Sequence, residues 1–122
     1  MISVKYEDGD VKVIELSGHS GYAERDKDIV CAAASSISIT SFKAIEKFID
    51  KDEYTIIEKD GYIRVTINNS SKEVLLLIDN LFETLEELEL QFPNYIKIYN
   101  KEVCSHVKIK YQIVWIKKRC RV

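Results

Sequence analysis

The sequence predicts a two-layer α+β domain in which two helices pack on a mostly antiparallel sheet, in the order ββαββαβ. Two observations carry the prediction. Asp-Gly occurs twice between short strand-like runs, and each such hairpin is followed by a long stretch with apolar residues at three- and four-residue steps.

Ile2 to Tyr6 and Val11 to Leu16 read as the first two strands, flanking Glu7-Asp8-Gly9-Asp10. Asp-Gly favours a hairpin because glycine accepts the positive φ that the turn needs. A polar segment, Ser17 to Lys27, follows and contains Gly18 and Gly21. Ile29 to Ile49 is the first helix, with Ala33, Ile37, Ala44, Ile45 and Phe48 as its predicted buried face. Tyr54 to Glu58 and Tyr62 to Ile67 form a second hairpin around Lys59-Asp60-Gly61. The second helix starts near Ser71, where Ser70-Ser71-Lys72-Glu73 has capping-box spacing. Its stripe is Val74, Ile78, Leu81, Leu85, Leu88 and Phe92, and Pro93 with Asn94 ends it. Tyr95 to Tyr99 closes the sheet.

A chain of 122 residues is one domain's worth, and a domain of that size stands on one core without disulfide or metal staples. Hydrophobic residues make up 46% and charged residues 31%, which excludes a disordered chain. The apolar run Val74 to Ile78 is far too short to span a membrane. Met1-Ile2-Ser3-Val4-Lys5 lacks the features of an export signal, and three cysteines fit a reducing cytosol, so a cytoplasmic location is expected. Net charge is −2 but uneven: residues 101–122 carry seven Lys/Arg against one acidic residue, a net of +6, which leaves −8 on the first hundred. An acidic body suits a basic partner. Residues 101–122 are therefore read as a basic C-terminal extension of the domain at 1–100. Val107 to Ile116 within it alternates apolar and basic residues.

The chemically informative segment is Gly18-His19-Ser20-Gly21-Tyr22-Ala23 followed by Asp28-Ile29-Val30-Cys31-Ala32-Ala33-Ala34-Ser35. Asp28 is a natural N-cap, which puts Cys31 at about the third helical position. There the macrodipole and unpaired N–H groups favour thiolate over thiol and offer donors to an oxyanion. His19, on the loop just before the helix, is the candidate to fold back as the thiol's proton acceptor and later protonate the leaving amine. Asp28 opposes the dipole if it lies close to the sulfur. The competing reading is a cysteine buried in the core beside small residues that allow close helix–sheet packing.

These two stretches closely resemble the signature of the ribosomal-processing cysteine protease family, Prp, and the inferred element order is similar over about residues 1–100. The resemblance implies a homodimeric bacterial protease that needs no cofactor and no metal. It implies a substrate too, the N-terminal extension of a large-subunit ribosomal protein (number twenty-seven), whose removal permits ribosome assembly. Carried over, Cys31 is the nucleophile and His19 the general base. Asp28 and Ser35 support the site, and Gly18 and Gly21 belong to a flexible substrate-entry loop. Ser20 departs from the alanine of many members, and Asp26 from a common glycine. Membrane association and direct nucleic-acid contact are not expected. Cys104, His106 and Cys120 lack the spacing and the fourth ligand of a zinc site. The alternative function is a non-catalytic ribosome- or RNA-binding module that retains the motif.

Overall fold

The computed structural model describes residues 1–99, the Arg25 side chain excepted; the basic extension, with Cys104, His106 and Cys120, lies outside the described residues. The element order is ββαββαβ as predicted: β1 (Ile2–Asp8), β2 (Lys12–Ser17), α1 (Ile29–Glu46), β3 (Tyr54–Lys59), β4 (Tyr62–Ile67), α2 (Lys72–Gln91) and β5 (Ile96–Tyr99). The strands form one sheet in the order β3-β4-β2-β1-β5, antiparallel except for the β1–β5 pair.

Alternation along each strand sends one set of side chains to a single face. Val4 pairs with Leu16 and Ile98, Leu16 with Ile63, and Ile14 with Tyr6 and Val65. Both helices cover this face. Val74, Ile78, Leu81, Phe82, Leu85 and Leu88 of α2 and Val30, Ala34, Phe42 and Ile45 of α1 complete the core. Burying each large aliphatic or aromatic side chain contributes roughly 1.5–3 kcal/mol. The opposite face meets water, and on it Glu15 pairs in register with Lys5 and Arg64 and accepts a 2.8 Å hydrogen bond from the Tyr62 hydroxyl.

Three local expectations need correction. Gly9 does not adopt positive φ, and the first hairpin closes over a three-residue loop, Gly9 to Val11, instead of a two-residue Asp-Gly turn; Gly61 in the second hairpin does adopt it, at φ +69°. The buried face of α1 is Val30, Ala34, Ser38, Phe42 and Ile45, with Ala33 and Ile37 at its margin. Phe48 lies beyond the helix end and is 54% exposed. In a helix so rich in alanine and serine, the large Phe42 decides which side turns inward. At α2 the cap is Ser71, whose hydroxyl accepts from the Val74 N–H at 3.4 Å. Ser70 accepts from Lys12 instead, so the Ser70–Glu73 box is not formed. Helix α1 is apolar enough, at mean hydropathy 1.3 over 18 residues, to cross a membrane by length and composition; here its inner face packs on the sheet and on α2.

Candidate active site

The site forms where β2 hands over to α1. Gly18, at φ +93°, sits so close to β1 that a Cβ there would lie 2.5 Å from the Met1 carbonyl oxygen. Its N–H donates to the Gly61 carbonyl at 2.8 Å, tying the end of β2 to the β3–β4 turn. His19 comes next. Its carbonyl accepts from the Met1 nitrogen at 2.6 Å, while its exposed imidazole rests on Gly61.

The chain then turns inward at Ser20, which is only 3% exposed. The Ser20 hydroxyl donates to Asp28 Oδ2 at 2.5 Å, and the Ser20 N–H donates to Cys31 Sγ at 3.2 Å. Gly21, at φ +73° with open space around its Cα, lets the loop reverse. Tyr22 anchors the loop tip edge-on against Phe92 and Tyr95, with ring centroids 5.4 and 5.2 Å away. A single 3-10 turn, Arg25–Lys27, delivers the chain to Asp28.

Asp28 caps α1 as the sequence implies and does more besides. Oδ1 accepts from the N–H groups of Val30 and Cys31 at 3.0 and 2.9 Å. Oδ2 accepts from Ser20 Oγ and, more distantly, from the N–H groups of Tyr22 and Ala23 at 3.2 and 3.4 Å. Burial pushes this carboxyl up, but the hydrogen bonds from the Ser20 hydroxyl and from the Cys31, Ala23 and Tyr22 amides outweigh it. The net pKa lies below the ordinary 3.8. One carboxylate therefore joins the loop to the helix start. It also consumes the Val30 and Cys31 N–H groups that the sequence offered to an oxyanion.

An open cleft of about 770 Å³ lies over this junction, and Gly18, His19, Gly21, Asp28, Cys31 and Ser35 all line it. Cys31 is half-buried at the third position of α1, and Ser35 is exposed one turn later. Ile2, Leu16 and Ile63 supply an apolar floor, and Glu58 and Asp60 of the β3–β4 hairpin stand at the rim. The two proposed reactive side chains share the cleft with no hydrogen bond between them: the Cys31 sulfur bonds the Ser20 amide, and the imidazole lies against Gly61. The Asp28 carboxylate is directed at the loop and helix amides and makes no hydrogen bond to the imidazole. No group of three or more His, Cys, Asp or Glu side chains able to hold a metal occurs among the described residues.

Sequence reasoning missed three participants. Ser20 registered only as a departure from alanine, because its bond to Asp28 depends on the path of the intervening loop. Gly61 registered only as a turn residue, although it forms the surface under His19. Tyr22 meets its aromatic partners only through tertiary folding.

The family model for the cysteine protease Prp matches residues 1–97. The ribosomal processing cysteine proteases Prp of two Staphylococcus aureus strains are each 23% identical over 97 residues, spanning 78% of this chain and 92% of theirs. The crystal structure of the S. aureus ribosomal processing protease Prp in complex with a covalently linked product peptide superposes with a TM-score of 0.70 at 26% identity. That match covers 80% of this chain and 97% of the other. SMU.848 from Streptococcus mutans gives 0.60 at 26% identity, covering 80% and 91%. With the family model matching from β1 into β5 across the cleft-lining loop and the start of α1, this chain belongs to the cysteine protease Prp family.

Proposed function

We propose that the chain is an endopeptidase in which Cys31 is the nucleophile and His19 the general base. The observation that carries the reading is the single cleft onto which a helix-start cysteine and the imidazole of a glycine-flanked loop both open. His19 is exposed, so its side chain turns from Gly61 toward the sulfur at the cost of a rotamer change. It takes the thiol proton, and the thiolate attacks the scissile carbonyl. The protonated imidazole then gives its proton to the leaving amine, which departs and leaves a thioester on Cys31. Water, deprotonated by His19, releases the acid. No cofactor enters this sequence. Asp28 supports it by holding loop and helix together, and Ser35 borders the path of the substrate.

The substrate that the family relationship favours is the N-terminal extension of large-subunit ribosomal protein twenty-seven. The S. aureus relatives are described as ribosomal processing proteases, and one of them was crystallised with a substrate peptide. An acidic body and the rim carboxylates of Glu58 and Asp60 complement a basic ribosomal peptide. The working form in this reading is a cytoplasmic homodimer of a protease domain at 1–100 carrying a basic extension at 101–122. The test is cleavage of a peptide bearing that extension. Cys31→Ala abolishes cleavage with the fold unchanged by circular dichroism, and retained cleavage in that variant ends the reading.

A further inference from the structure

We infer that Ser20 is a positioning residue for the Cys31 sulfur: its hydroxyl, tied to the buried Asp28 carboxylate, holds its own N–H against that sulfur and favours the anion that attacks. The inference rests on the cysteine-nucleophile reading above and deepens it.

Three observations support it. The Ser20 amide lies 3.2 Å from Cys31 Sγ, hydrogen-bonding range for sulfur, and the imidazole makes no hydrogen bond to that sulfur. The Ser20 side chain is buried and donates at 2.5 Å to a carboxylate that is itself only 6% exposed. The same hydroxyl accepts from the Tyr22 N–H at 3.2 Å, closing a small ring that fixes the backbone carrying the Ser20 amide. Asp28 meanwhile grips the Cys31 amide through its other oxygen. A single carboxylate thus sets both the donor and the residue that bears the acceptor.

A neutral thiol is a weak acceptor and a thiolate a strong one, so an amide held in this place stabilises the charged form. Without the Ser20 hydroxyl, the loop keeps its ties at Gly18, His19 and Tyr22, but Ser20 itself loses its side-chain hold beside the conformationally permissive Gly21, and its amide shifts from the sulfur. Other charges bear on the same sulfur. His19, Asp26, Lys27 and Asp28 face the cleft from the loop, and Glu58, Lys59, Asp60 and Tyr62 from the β3–β4 hairpin. The Asp28 charge opposes a thiolate, but four backbone amides hold it besides the Ser20 hydroxyl, so it stays in place in a Ser20 variant.

The test is the rate of alkylation by iodoacetamide across a pH series, in the full chain, read at Cys31 by peptide mass spectrometry so that Cys104 and Cys120 do not interfere. Ser20→Ala, smaller than the native residue in a buried place, slows alkylation about tenfold at neutral pH and moves the rise about one pH unit upward. The alkaline plateau stays unchanged, and Ser20→Thr, which keeps the hydroxyl, retains the wild-type profile. An Ala profile that superimposes on wild type overturns the inference. So does a loss equal at every pH, the mark of altered access, and so does a Thr variant that behaves like Ala. Because alkylation reads the sulfur directly, these outcomes are separate from the protease reading, which stands or falls on Cys31→Ala cleavage.

Discussion

The imidazole of His19 lies against Gly61, so closely that a Cβ on Gly61 would come within 2.8 Å of Nε2. This surface, supplied by a turn between two strands distant in the chain, sets the resting position of the ring. Glycine suits the position through the positive φ of the turn, and its missing Cβ leaves the ring its resting place. Gly61→Ala is expected to cost about 1–2 kcal/mol in chemical denaturation. It should also displace the His19 ring-proton NMR signals while those of the sheet stay in place. Gly18→Ala should cost more than Gly61→Ala, because its Cβ meets the Met1 backbone carbonyl rather than the end of a side chain that can swing aside. Equal losses, or the reverse order, would show that the β2 end can move away from the Met1 carbonyl.

Asp28 links stability to pH. Its carboxyl titrates below the ordinary 3.8, so its contribution is complete above that value. It is lost as pH falls from there through the lower folded-state value. Asp28→Asn keeps an acceptor for the helix amides but loses the one that serves Ser20, at a cost of about 2 kcal/mol near neutral pH. The gap between wild type and variant, followed by urea denaturation at a series of pH values, should close in acid. A gap that widens below pH 3.8 would have the wrong sign for this linkage.

Ser38 is fully buried on the inner face of α1, and its hydroxyl finds no hydrogen-bond partner among the described residues. Ser38→Ala removes that unsatisfied group and improves helix propensity. Stability should rise by about 1 kcal/mol and Tm by about 4 °C in calorimetry. A fall would mean that the hydroxyl has a partner after all.

What was legible in the sequence follows from the size and chemistry of particular residues. Helix α2 carries large aliphatic residues at helical steps, so its stripe, Val74, Ile78, Leu81, Leu85 and Leu88, could be read and is buried as expected, although Leu76 is exposed and Glu86 joins the inner face. Helix α1 has alanine or serine at eight of its eighteen positions, which lets either face turn inward; Ile45 of the expected stripe is buried, but Ala33 and Ile37 lie one position from the buried Ala34 and Ser38. Asp28 was legible as a cap because capping is local and depends on the next three amides. Its second hold, on Ser20, was not, since that bond exists only after the loop has folded back through the Arg25–Lys27 turn. The surface beneath His19 was hidden for the same reason, as it comes from a different hairpin.

Whether Cys31 carries the acyl group is read by intact-protein mass spectrometry of rapidly quenched mixtures of enzyme and extension-bearing peptide. A transient adduct equal in mass to the acyl fragment is expected, mapped to Cys31 and absent from Cys31→Ala. Cleavage that proceeds with no adduct on Cys31, or with the fragment on another residue, would contradict it.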